Sequence, residues 1–255
     1  MESVSRINLP VVDSTNTFIR EMLAEEGTGN VMSAQSLPGF TLVVADDQTR
    51  GRGQQGNSWE TEKGKNLTFS LLCHPDFICA TRQFLLSQCM AVAVQKALSA
   101  YIDGVEIKWP NDIYVGDKKI SGTLIECDLH GKSIANCIIG VGININQTDF
   151  RSDAPNPTSL KQLTGEEHDR EAILAAIMVN FQRCYEMLRE GREEEIRQAY
   201  MSNLYRRTGI HRYRDVRGEF AAEIADIEPT GHLNLRFSDG NVVRYEFKEV
   251  SFIIK

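Results

Sequence analysis

The sequence predicts an α+β fold: a mixed sheet packed with helices over residues 1–205, followed by a small β-barrel-like domain over residues 206–255. Three observations carry this. Strand-like apolar runs and helical apolar spacing interleave through the first part of the chain. Two long segments, near residues 82–102 and 170–204, keep helical spacing, the second interrupted near Gly191. After RRTGIHR the texture changes to short alternating strands separated by turn residues.

Taken in order, INLPVV reads as a strand feeding the helix DSTNTFIREMLAEEG, with Asp13 or Ser14 as N-cap, Phe18, Met22 and Leu23 on one face and Gly27 at the stop. TLVVADDQ and NLTFSLLC are strands joined by a polar, glycine-rich loop. RQFLLSQCMAVAVQKALSAYI is a mostly buried helix, and VEIKWPNDIYVGDKKISGTLIECDL gives strands around a Gly116–Asp117 turn. SIANCIIGVGININ supplies another buried strand. REEEIR, within the second long helical segment, is the solvated face of its helix. EFAAEIADIEP, TGHLNLRFSDG and NVVRYEFKEV are the strands of the small domain.

At 255 residues and 42% hydrophobic content the chain can bury a full core. A net charge of −7 argues against a general nucleic-acid binder, which needs excess Lys and Arg to displace counterions from phosphates. Residues 206–255 hold nine Lys and Arg against eight Asp and Glu, so the small domain lacks a basic stripe and fits a docking or lid role. Cys73, Cys79, Cys89, Cys127, Cys137 and Cys184 form no C-x-x-C pair and read as buried free thiols. The histidines have no metal-ligand spacing. Neither a signal peptide nor an apolar run of membrane-spanning length is evident, which points to a cytoplasmic protein.

GRGQQGNSW, residues 51–59, contains a literal G-x-G-x-x-G. A dinucleotide site needs a helix directly after that turn to receive the pyrophosphate, and NSWETEKGKN cannot open one. What remains is a glycine loop that lets backbone amides approach a ligand, with Arg52 as a forked donor for phosphate or carboxylate and Trp59 as a flat face for a base. By itself the loop reads equally well as a mobile surface turn. Lys108, the Asn111–Asp112 turn, Gly140 and Gly142 also have plain structural readings as a snorkelling lysine, a turn and a bulge.

Taken together, DSTN, GRGQQGNSW, KWPNDIYV (108–115), KKISGTLIE (118–126) and GVGININ (140–146) resemble the biotin protein ligases along essentially the whole chain. The family pattern runs G-R-G-R-x-G-x-x-W, K-W-P-N-D, K-x-x-G-[IT]-L-[IV]-E and G-x-G-[IL]-N, then a small barrel. The resemblance implies a class II aminoacyl-tRNA synthetase-like ligase domain, an SH3-like C-terminal barrel and the form without an N-terminal DNA-binding domain. One position departs: the loop's usual second arginine is Gln54.

The implied activity is ATP-dependent conversion of biotin to biotinyl-5'-AMP, then transfer to a lysine of a biotin carboxyl carrier protein or domain of a biotin-dependent carboxylase. ATP and biotin would be substrates, with Mg2+ as a further neutraliser of charge. By the family pattern Arg52 and Lys119 are catalytic. Ser14, Thr15, Asn16, Gln48, Gly51, Arg52, Lys119, Gly122 and Gly140 would bind biotin. Gln54, Gln55, Trp59, Lys108, Asn111, Asp112 and Asn144 would serve ATP, Trp59 packing on adenine and Asp112 reaching Mg2+. The expected partners include neither DNA nor a membrane, and the chain would be a monomer or homodimer. Lipoate protein ligase-type chemistry and a non-catalytic biotin-binding regulator are the alternatives.

Overall fold

The computed structural model describes residues 3–27, 39–53, 57–151 and 156–254. Seven strands, β1 (Val4–Leu9), β2 (Phe40–Ala45), β3 (Leu67–Cys73), β4 (Val105–Lys108), β5 (Asp112–Val115), β6 (Lys118–His130) and β7 (Ser133–Ile143), form one sheet in the order β1-β2-β3-β7-β6-β5-β4. The β1–β2 pair is parallel and the others are antiparallel, so the sheet is mixed as expected.

Alternation of side chains across the pleat gives this sheet two different faces. Leu71, Ile139 and Val141 point into the large core under α2 (Phe84–Leu98) and α4 (Arg170–Arg189). Their neighbours Leu72 and Ile138 point the other way and meet Val43 and Ile19 beneath α1 (Thr15–Gly27). The helix α1 therefore anchors through Ile19, which is fully buried, with Phe18 and Leu23 only packed alongside. That corrects the expected face of Phe18, Met22 and Leu23.

The expected long helix at 82–102 is a 3-10 turn, Ala80–Arg82, followed by α2. It stops early where Ser99 turns its hydroxyl back to the Gln95 carbonyl, 2.9 Å away. A short helix not foreseen, α3 (Leu160–Thr164), is capped by the Ser159 side chain, which accepts from the Gln162 amide. The break near Gly191 separates α4 from α5 (Glu193–Ser202), with Gly191 at φ 75°. None of the described helices is long and apolar enough to cross a membrane. All six cysteines are free thiols, but Cys79 is exposed and Cys127 only half-buried.

Strands β8 (His211–Asp215), β9 (Gly218–Ile227), β10 (Leu233–Arg236), β11 (Val242–Tyr245) and β12 (Ser251–Phe252) make the small SH3-like sheet, fully antiparallel in the order β11-β10-β9-β8-β12. Its apolar residues Tyr213, Leu233, Leu235 and Val250 join the same core as α2. Trp109, 3% exposed, fastens the junction: its indole Nε1 donates to the Gly231 carbonyl at 2.9 Å, and its ring meets Phe247 edge-on at 5.9 Å. Gly231 has φ 95°, and a Cβ there would lie 2.9 Å from the Phe84 ring, so a larger residue is excluded on both grounds. Trp109→Phe is expected to lose the hydrogen bond and part of the ring packing, costing about 1–3 kcal/mol with the Gly231 carbonyl left unpaired. Equilibrium urea unfolding checks this; an unchanged midpoint would show that the bond contributes nothing.

Candidate active site

A cleft of about 780 Å3, including the space at its mouth, opens on the α1 face of the large sheet. Strand register builds its floor. Thr68 pairs with Gly142 and Gly142 with Gly122, while Ser70 pairs with Gly140 and Gly140 with Leu124. These residues share one face of the pleat. Three neighbouring glycines thus leave bare backbone where side chains would otherwise stand. An ideal Cβ on Gly140 would sit 2.1 Å from Asn16 Oδ1, and one on Gly142 would sit 2.2 Å from Trp59 Cε2.

The start of α1 supplies the polar end. Ser14, Thr15 and Asn16 are buried, and the Ser14 carbonyl accepts from the Phe18 amide at 3.0 Å. Gln48 reaches in from the segment after β2, its Oε1 accepting from the Thr15 amide at 2.8 Å and lying 3.0 Å from the Thr15 hydroxyl. Ser70 Oγ lies 2.6 Å from both Thr15 Oγ1 and Asn16 Oδ1, so its one proton serves one of them at a time. Asn16 Nδ2 then donates to Glu126 Oε2 at 2.8 Å.

The other end is charged. Lys119 Nζ lies 2.7 Å from Asp112 Oδ1, both side chains about a quarter exposed. Arg52 stands nearer the polar end, its Nη2 2.9 Å from Oε1 of the Glu126 carboxylate that Asn16 also meets. The indole of Trp59 rests on Gly142 and Gly122, and its Nε1 is buried with no hydrogen-bond partner among the described residues. Gly51 is not on the cleft wall, but it supports it: its carbonyl accepts from the Trp59 amide at 2.9 Å, and a Cβ there would lie 2.3 Å from the Trp59 carbonyl oxygen. The turn between β11 and β12 adds Phe247 and Lys248 to the rim, a contribution of the small domain that no motif announced.

The structure therefore gathers Ser14, Thr15, Asn16, Gln48, Arg52, Trp59, Asp112, Lys119, Gly122 and Gly140 around one cleft. Lys108 and Asn111 line an adjoining groove that shares Asp112, Phe247 and Lys248 with it. Lys108 Nζ sits over the Tyr114 and Phe252 rings at 5.1 and 4.9 Å, and burial pushes its pKa below the usual lysine value while Asp112 opposes the shift. Asn111 Nδ2 donates to the Thr123 carbonyl at 3.1 Å.

Asn144 is not at the cleft. It is 4% exposed, its Nδ2 donates to the Thr158 carbonyl at 3.0 Å, its backbone amide donates to the Ile120 carbonyl, and it ties the end of β7 to the start of α3. Gln54 and Gln55 lie outside the described residues.

Glu126 is the site residue that reading the sequence overlooked. It closes KKISGTLIE and stands two and four positions beyond Leu124 and Gly122, hence on the same face as the floor. As for a metal, no group of three or more His, Cys, Asp or Glu side chains gathers among the described residues. A divalent ion fits this site only as a partner of bound phosphates, with Asp112 as the carboxylate within reach.

A model of the biotin/lipoate A/B protein ligase family matches residues 9–144, just over half of the chain. The bifunctional ligase/repressor BirA of Bacillus spizizenii is 36% identical over 162 residues, 62% of this chain and 50% of that protein, so the chain spans about half the length of this relative. The biotin–[acetyl-CoA-carboxylase] ligase of Paracoccus denitrificans is 28% identical over 72% of this chain and 80% of its own length. A biotin protein ligase from Aquifex aeolicus, solved in complex with biotin and ATP, superposes with a TM-score of 0.77 at 25% identity, covering 98% of this chain and 99% of that one. The cleft lining falls inside the matched segment except for the rim turn from the small domain, and the chain belongs to the biotin/lipoate A/B protein ligase family.

Proposed function

We propose that the protein activates biotin with ATP and transfers the biotinyl group to a lysine of a biotin carboxyl carrier protein or domain. The observation that carries this reading is the polarity of the cleft. A row of hydrogen-bonding groups, Thr15, Asn16 and Gln48 backed by Ser70, lies at one end, bare glycine backbone in the middle, and Lys119 at the other, with Arg52 over the cleft from the Glu126 side. The ureido ring of biotin offers a carbonyl and two N–H groups to such a row. The dithiolane ring of lipoate offers neither and gains no hydrogen bond from that row.

In the first half-reaction an oxygen of the biotin carboxylate attacks the α-phosphorus of ATP. The bond to the β-phosphate oxygen breaks, and pyrophosphate leaves with the electron pair. Lys119 and Arg52 stabilise the charge that two anions bring together, which is the main difficulty of the step. Lys108 and Asn111, in the adjoining groove, would face the triphosphate. Mg2+, held by the phosphates and Asp112, would supply further neutralisation. In the second half-reaction a neutral lysine amine of the carrier attacks the acyl carbonyl, the acyl–phosphate bond breaks, and AMP leaves as the amine proton passes to water. Residues 1–205 would hold both substrates, with 206–255 supplying the rim turn. This is chemistry of the cytoplasm, where ATP and carboxylases meet.

Mixing the protein with ATP, Mg2+ and either biotin, lipoate or octanoate, and measuring pyrophosphate, tests the reading. Biotin alone is expected to trigger release. Equal or greater turnover with lipoate would reassign the substrate, and no release with any acid would leave a non-catalytic binder.

A further inference from the structure

Within the biotin reading, we infer that Glu126 is a positioning residue that sets the hydrogen-bond polarity of the ureido end of the cleft and couples it to the loop arginine. Its two oxygens are used by different motifs: Oε2 accepts from Asn16 Nδ2 at 2.8 Å and Oε1 from Arg52 Nη2 at 2.9 Å. The carboxylate is well covered, its side chain 20% exposed, and it stands on β6 opposite Ile138, on the floor face.

A carboxylate accepts hydrogen bonds and donates none, so it dictates the orientation of every amide and hydroxyl connected to it. Asn16 must present Nδ2 to Glu126 and therefore Oδ1 to Ser70. Ser70 then spends its single proton on Asn16, which frees Thr15 Oγ1 from that donor. At the far end the Thr15 amide fixes Gln48 with Oε1 inward, so its NH2 is the outward group. A row of atoms that could hydrogen-bond in either direction thus acquires one.

Arg52 strengthens the device. It always donates, and among the described residues one of its five N–H groups meets Glu126. A glutamine at 126 has one oxygen to place. The charge-assisted bond to Arg52 is the stronger of the two, so that oxygen goes to the guanidinium. The glutamine NH2 then meets Asn16, whose amide must turn over, so Ser70 accepts from Asn16 and gives its own proton to Thr15: this half of the row reverses while Gln48 stays fixed by the Thr15 amide.

The test is biotin-dependent ATP–pyrophosphate exchange by the unchanged chain, Glu126→Gln and Glu126→Asp, with biotin and with its guanidino analogue, in which a cationic guanidinium replaces the ureido carbonyl. In Glu126→Gln, KM for biotin is expected to rise about tenfold or more. Its kcat/KM preference for biotin over the analogue should shrink, because the reversed row no longer matches an accepting carbonyl. Glu126→Asp, still an anionic acceptor, should keep that preference. Equal losses for both compounds in Glu126→Gln, or no loss, would overturn the positioning role, since a merely structural residue changes both alike. Failure of the unchanged chain to use biotin would overturn the ligase reading and this inference together, whereas an unaltered preference in a biotin-using enzyme overturns this inference alone.

Discussion

Lys119→Ala is expected to lower the rate of biotin-dependent pyrophosphate release roughly 100-fold or more, the usual effect of removing a fixed donor from developing charge. The folded state should survive. Lys119 joins the fold through its backbone, whose amide donates to the Asn156 carbonyl and whose carbonyl accepts from the Thr158 amide, and alanine retains both bonds. Its ammonium meets Asp112 at 2.7 Å and approaches the floor at Gly122, where an ideal Cβ would lie 3.1 Å from Nζ. In the proposed reaction this approach to the glycine floor would bring the charge to the carboxylate and the phosphate that join. Lys119→Arg keeps a cation but spreads it over a planar fork in place of a compact point charge, so it should recover little activity. Steady-state kinetics with a circular-dichroism melt as the folding control decides the matter. A near-normal rate in the alanine variant would make Lys119 a structural partner of Asp112 and nothing more.

Gly140→Ala should be the second severe lesion, and for a different reason. The added methyl would stand 2.1 Å from Asn16 Oδ1 and 2.9 Å from its Cγ, contacts no structure tolerates. Asn16 is 3% exposed and held from both sides by Ser70 and Glu126, so it cannot yield without breaking the polar row. Overpacking of this kind costs about 1–3 kcal/mol of stability. Losing two or three hydrogen bonds to the ureido ring at about 1 kcal/mol each would raise KM for biotin roughly 100-fold. Asn16→Gly combined with Gly140→Ala separates the effects: removing the clashing side chain should relieve the overpacking, though not the loss of its bonds to Ser70 and Glu126, and leave biotin binding poor. Unfolding midpoints and biotin titrations would report the two quantities independently. Wild-type affinity in Gly140→Ala would mean that Asn16 has room to move and that the bare floor is not required.

The order of strands and helices, the change of texture at residue 206 and the motif strings were legible in the sequence because each depends on local chemistry. Capping residues, turn glycines and apolar spacing act over a few positions, and a reader needs only those positions. Nine of the ten cleft residues came from motif strings and Gln48 from the family resemblance, none from a pattern that shows where they meet. Which face of the sheet carries the site was not legible. All seven residues of β3 are buried, so LTFSLLC shows no alternation from which to choose a side. Pairing across β3, β7 and β6 made that choice, setting Ser70 beside Gly140 and Thr68 beside Gly142 from segments some 70 residues apart. The same register brought Glu126 beneath Asn16 and Arg52, and it is why a residue with no obvious role in KKISGTLIE holds two motifs together. Asn144 went the other way: it sits in a motif, but the chain turns at the end of β7 and buries it against Thr158. Phe247 and Lys248 reach the rim only because Trp109 and Phe84 dock the small sheet against the large one. Local spacing specifies elements, whereas contacts between distant segments are specified by the burial of all of them at once, and that is where the cleft was made.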